Sequence, residues 1–155
     1  MSDNMLIMDK REKMALRAWL ELTRCTKTLE TSISAKLRRN FGQSFTRFDA
    51  MSQLYRADNM TLPVTMLASQ ILSSTTKNIT GLMDRMEKDL LVSRNQNSQD
   101  RRSYTITLTH QGKSLFEEMA VEHGHWITES FMDMSEDKLT DMIESITHLR
   151  KNLED

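Results

Sequence analysis

The sequence predicts a mainly α fold carrying one small β-hairpin. Three observations lead there. The 155 residues hold one Pro and four Gly but thirteen Met, so turn formers are scarce and unbranched apolar residues suited to helices are plentiful. Apolar residues recur every three or four positions over most of the chain, which places them on one side of a helix. Only around Tyr104, Ile106 and Leu108, which alternate with Thr105 and Thr107, does the period fall to two, as in a half-buried strand.

Taken in order, Lys10 to Arg39 reads as one long amphipathic helix with Met14, Ala18, Leu22, Cys25, Leu29, Ile33 and Leu37 on its apolar stripe. A helix this long in so short a chain cannot bury its whole stripe at home, so it is expected to share a core with a second subunit. Phe41-Gly42-Gln43-Ser44 breaks the pattern. Ser44 or Thr46 can cap the next helix, which runs to about Arg56 with Phe45, Phe48, Met51 and Tyr55 facing inward. Asp58-Asn59 signals a turn. Thr61-Leu62-Pro63 leads into a short helix from Val64 to Leu72, with Pro63 in a first-turn position.

Ser73-Ser74-Thr75 interrupts again, with Thr75 as the N-cap of a helix ending near Lys88. Two short helices across a brief polar turn have the spacing of a helix-turn-helix. Val92 to Asn95 reads as a strand and Gln96 to Asp100 as a polar loop, so the alternating segment returns as the second strand of a hairpin. Thr109 caps a long helix through Leu115, Met119, His123 and Trp126, and Ser135 caps a last one with Leu139, Met142, Ile146, Leu149 and Leu153 on its apolar face. The implied organisation is a dimerisation helix (1–43), a winged helix-turn-helix lobe (44–113) and C-terminal dimerisation helices (114–155).

Charge is divided along the chain. The net −1 resolves into +4 for residues 1–43, +3 for 44–113 and −8 for 114–155, a basic front and an acidic tail compatible with one face meeting phosphate. No apolar run approaches the roughly 18 residues of a membrane span, and no secretory signal opens the chain. Cys25 is the single cysteine, which rules out an intramolecular disulfide and leaves a cytoplasmic location as the expectation. No pairing of nucleophile with base, no phosphate-cradling glycine loop and no zinc-ligand spacing appears, so neither an enzyme nor a metal or cofactor protein is expected. His123 and His125 are two apart, and residues two apart on a helix do not share a face. His123 falls on the apolar stripe, as a packed histidine does.

Three segments carry a family resemblance. Phe45-Thr46-Arg47-Phe48-Asp49-Ala50-Met51 resembles the helix-opening motif of MarR family regulators, and Asn78-Ile79-Thr80-Gly81-Leu82-Met83-Asp84-Arg85-Met86-Glu87 resembles their recognition helix. Asp100-Arg101-Arg102, then Ile106-Thr107-Leu108-Thr109 and Gly112, resembles their wing and the join that follows it. The three stand in order across residues 45–112. The resemblance implies a winged helix embedded in a helical homodimer that binds double-stranded DNA at a pseudo-palindromic site and regulates transcription, commonly by repression. It also implies a small amphipathic or phenolic effector, for which Trp19, Met51, Tyr55 and Trp126 are the candidate lining.

The residue types agree with that implication. Short polar side chains near a recognition helix's N-terminus reach base edges in the major groove. Thr75, Thr76, Lys77, Asn78 and Thr80 are of that kind, with Asn78 suited to adenine and Gly81 to close backbone approach. Arg85, further along, is suited to a phosphate. On the hairpin, Arg94, Arg101 and Arg102 suit a narrow, electronegative minor groove, and Asp100 would orient one of them.

One position departs from the family pattern. Where the family has Gly after the recognition helix, this chain has Leu90, so either the helix ends earlier, at Asp89, or the turn is built differently. Cys25 raises an alternative, a thiol-based redox switch. Its place between Leu22 and Leu29 on the apolar stripe argues for an inert, covered thiol. A helical interaction module that binds no DNA is the other alternative.

Overall fold

The computed structural model describes residues 8–72, 78–97 and 99–154, with the backbone but not the side chains of Asn97, Arg101 and Arg102. The chain divides into two compact units, one ending at Met119 and the other beginning at Ala120.

The first unit opens with α1 (Lys10–Phe41). Asp9 caps it by accepting the Glu12 N–H at 2.8 Å, and the Glu12 carboxylate returns to the Asp9 N–H at 2.7 Å, a reciprocal capping box. The helix ends where Gly42 turns left-handed at φ 66°, a conformation that costs glycine little. Ser44 then caps α2 (Phe45–Arg56) through the Arg47 N–H. A 3-10 turn (Asp58–Met60) follows, in which Asn59 adopts φ 52°.

Thr61–Pro63, expected as a lead-in to a helix, forms the short strand β1. It pairs antiparallel with a strand more than forty residues later, Leu62 opposite Ile106, and the Thr61 and Thr107 hydroxyls meet at 2.8 Å. Pro63 is the N-cap of α3 (Val64–Gln70), not its first turn. Proline has no N–H to donate, and an edge strand tolerates that loss. Then come α4 (Ile79–Lys88), β2 (Val92–Asn97) and β3 (Asp100–Leu108). Gln96, Asn97 and Asp100, read as loop, are therefore strand residues, with a register irregularity at Gln96/Asn97. The sheet order is β1-β3-β2.

The inward faces of these elements form one core. Met51, Leu54, Leu67, Met83, Met86, Ile106 and Met119 are fully enclosed. Phe116, on α5 (His110–Ser130), stacks on Phe48 at 5.5 Å and meets Tyr55 at 4.8 Å. Thr109 caps α5 through the Gly112 N–H, and its hydroxyl also donates to the Leu90 and Leu91 carbonyl region. That junction needs glycine at 112, because a Cβ there would lie 2.1 Å from the Leu91 carbonyl oxygen.

The second unit continues α5 and ends with α6 (Glu136–Glu154), started by Ser135 as expected. Trp126 is buried there, while α6 has no buried residue.

Candidate nucleic-acid interface

The helix that should read bases begins later than Thr75. Asn78 is the N-cap of α4, its side-chain oxygen accepting the Gly81 N–H at 2.8 Å. Serine, threonine and asparagine all cap well, and the run from Ser73 to Asn78 holds several candidates; the apolar phase of Leu82, Met83 and Met86, all buried, places the first turn after Asn78. Thr75, Thr76 and Lys77 lie outside the described residues. Gly81 has a local reason to lack a side chain: its Cβ would meet the Asn78 amide nitrogen at 2.8 Å. Asn78, Thr80, Asp84, Arg85 and Lys88 are exposed on the side of α4 turned away from the core.

The end of α3 is tied to α2 by a residue that sequence reasoning assigned no role. Asp49 on α2 is almost fully buried, and its carboxylate accepts the backbone N–H of Leu72, just past α3, and the Gln53 side chain at 3.2 Å. A buried carboxylate must be hydrogen-bonded to be tolerated. Nothing local marks Asp49 as buried, because its main partner is 23 positions away.

At its far end α4 stops at Lys88, and Leu90 adopts φ 61°. The Leu91 N–H reaches the Met86 carbonyl at 2.9 Å and the Leu90 N–H that of Glu87 at 3.0 Å. The left-handed glycine turn is thus retained with leucine in it, a residue 64% exposed.

The wing separates its arginines. Cross-strand partners share a face of the sheet, and Arg94 lies opposite Ile106, which is fully buried. Arg94 therefore points inward. Its guanidinium pairs with Asp84 and, at 3.5 Å, with Glu87, and lies 4.5 Å above the Tyr104 ring. It ties the hairpin to α4 instead of standing at the tip. The phase that reveals this, Val92–Arg94 matched to Ile106–Leu108, is present in the sequence. Asp100 opens β3 opposite Asn97. Arg101 and Arg102 follow it in β3, and their side chains lie outside the described set.

The four residues expected around an effector fall in different surroundings. Met51 is enclosed in the core, Trp19 is 59% exposed on α1, and Trp126 is buried in the second unit. Tyr55 is partly exposed, and its hydroxyl donates to Glu117 at 3.0 Å. That hydrogen bond and the carboxylate's charge raise the Tyr55 phenol above its ordinary value. Cys25, expected to be covered, is exposed, because within this chain the stripe of α1 is buried only at Ile33 and Leu37.

A capped two-helix pair carrying a hairpin that packs back on its second helix defines a winged helix-turn-helix. No family model matches the sequence. The chain is 33% identical over 106 residues to the HTH-type transcriptional repressor YetL of Bacillus subtilis, covering 66% of this chain. It spans 62% of that relative's length. It is 27% identical to a MarR family transcriptional regulator from Silicibacter pomeroyi, with a TM-score of 0.73 over 95% of this chain and 98% of the other. Sco3205, a MarR family transcriptional regulator from Streptomyces coelicolor solved in complex with DNA, has the same fold at 19% identity, with a TM-score of 0.79 over 99% and 94%. The chain has the winged-helix fold of the MarR family regulators it is similar to, in agreement with the three sequence segments. No helix among the described residues is long and apolar enough to cross a membrane.

Proposed function

We propose that this protein is a sequence-specific, DNA-binding transcription regulator, acting as a homodimer and commonly repressing its targets. The observation that carries the reading is α4: its core-facing side holds it rigidly in the lobe, while Asn78, Thr80, Arg85 and Lys88 stand exposed along the other side. Its N-terminus enters the major groove, and Arg101 and Arg102 of the hairpin follow the adjacent minor groove. Thr75, Thr76 and Lys77 precede α4 and belong to the same reading.

Dimerisation is supported by apolar residues left in the open: Met14 and Trp19 on α1, and Ile143, Ile146, Leu149 and Leu153 on α6. Large apolar side chains exposed in series along a helix mark interaction sites. In a dimer, the two recognition helices address half-sites about 34 Å apart. A small amphipathic or phenolic effector enters through the resemblance, and needs a preference of about 1–3 kcal/mol for the DNA-free state to act as a switch.

The test is selection of genomic fragments by the purified protein beside an Asn78→Ser, Arg101→Ala variant. Serine keeps a capping oxygen, so loss of selectivity reports lost contacts and not a frayed helix. The reading expects a palindrome enriched by the wild type alone. If the folded wild type enriches nothing at low salt, the reading is wrong and a protein-binding module takes its place.

A further inference from the structure

A polar recess of about 380 Å³ opens between the end of α1, the start of α2 and the side of α4, lined by Arg38, Gly42, Ser44, Arg47, Leu82 and Arg85. Three arginines from three elements line it, and they are not equivalent. Arg47 is already neutralised: it pairs with Asp89 at 2.7 Å, bonds Gln43 at 3.2 Å, and its side chain is 16% exposed. Arg38 and Arg85 are exposed and have no ion-pair partner among the described residues. Gly42 leaves the floor open, with nothing within 4 Å of where a Cβ would be. Two uncompensated cations across a recess repel each other unless an anion sits between them, and guanidinium forks match phosphate oxygens.

We propose that this recess seats a phosphodiester of the DNA backbone, held between Arg38 and Arg85, with Arg47 fixed by Asp89 as its rear wall. The proposal rests on the DNA-binding reading above and adds to it a contact from outside the helix-turn-helix and the wing. The distances suit it. Arg85 is six residues beyond Ile79, about 9 Å along the helix axis. A major groove about 12 Å wide, entered by the N-terminus of α4, therefore presents its wall phosphates near Arg85. Arg38 reaches the same phosphate from the last turn of α1. Contacts of this kind position the protein and carry no sequence information.

The test measures affinity for a mixed-sequence duplex against salt, by fluorescence anisotropy, for the wild-type full chain, Arg38→Gln and Arg38→Lys, each checked for folding by circular dichroism. Losing one phosphate contact lowers the slope of log K on log salt by about one for each bound protomer. Arg38→Gln should show that fall and bind about tenfold more weakly per bound protomer near 0.1 M salt, with the same loss for every sequence tried. Arg38→Lys should recover most of the slope. An unchanged slope in Arg38→Gln, with wild type binding normally, overturns the seat and leaves the DNA-binding reading standing. A wild type that binds no duplex overturns both. Inorganic phosphate separates the remaining source. If it raises the thermal midpoint of wild type but not of Arg38→Gln beyond sodium chloride of equal ionic strength, and the salt slopes are equal, the recess is a free-anion site and the backbone assignment fails.

Discussion

The winged lobe and the flanking helices carry equally regular apolar stripes, yet the structure treats them differently. In the lobe the stripe residues disappear from solvent: Met51, Leu54, Met83, Met86 and Ile106 are fully enclosed. Along α1 only Ile33 and Leu37 are buried, and along α6 none is. A helical period states that a face wants covering; it does not state what covers it. The lobe finds its cover within the chain, where α2, α4, the sheet and the start of α5 meet. The flanking helices find little, and the proposed second copy is what would complete them.

The sharpest way to break this comparison uses two glycines on the same helix. Gly112 sits at the lobe's tightest junction, where a Cβ meets the Leu91 carbonyl oxygen and the Leu108 side chain, whereas a Cβ at Gly124 meets nothing within 4 Å. Gly112→Ala should destabilise the chain by about 3 kcal/mol, because backbone cannot move aside as a side-chain tip can. Gly124→Ala should stabilise it by up to about 1 kcal/mol, through helix propensity alone. Urea midpoints of the two variants moving in the same direction would show that burial does not separate the regions as described.

Next in size is the proposed cover itself. Ile146→Lys together with Leu149→Lys places charge on an exposed apolar face of α6. In a single chain this costs almost nothing. In a dimer that uses this face it should weaken association about thirtyfold, roughly 2 kcal/mol, read by sedimentation equilibrium. A wild type that stays monomeric at tens of micromolar, or a variant that dimerises as well as wild type, removes the second copy from the account.

Most of the lobe was legible in the sequence, because its elements are long enough to show a period and their start and stop residues are strong. Ser44, Gly42, Thr109 and Ser135 all act where their chemistry indicates. What was not legible depends on partners distant in sequence. Thr61–Pro63 is a strand only because β3 lies beside it. Asp49 is buried because Leu72 needs an acceptor, and Tyr55 is fixed by Glu117, 62 positions on. Arg94 was misplaced for a different reason. It was grouped with Arg101 and Arg102 by charge, when strand phase put it opposite Ile106. Position in the ladder outweighs residue type here.

The two ends of α4 give smaller effects of opposite sign. Asn78→Ala removes the acceptor of the Gly81 N–H and should cost about 1 kcal/mol, with Asn78→Asp restoring most of it. Leu90→Gly relieves a left-handed leucine that is already largely exposed and should gain about 1 kcal/mol. Thermal midpoints check both. A destabilised Leu90→Gly would mean that the leucine side chain is covered in solution, and the wing side of the lobe would then join the flanking helices as incompletely buried.

The smallest effect asks whether the second unit has an interior of its own, given that α6 buries nothing. Trp126 is buried and His123, one turn before it, is half-buried, and burial lowers the His123 imidazole below its ordinary value of 6.5. The folded chain therefore binds that proton less readily than the unfolded chain, so stability rises with pH wherever the two differ in protonation. The contribution is complete above about 6.5 and is lost as pH falls from there through the lower folded value. His123→Gln cannot titrate, and its urea midpoint should fall less than that of wild type between pH 7.5 and 5.5, by a margin smaller than the Leu90→Gly effect. Parallel pH profiles for the two proteins would mean that His123 is hydrated in solution, and that the α5–α6 region lacks an interior until something else covers it.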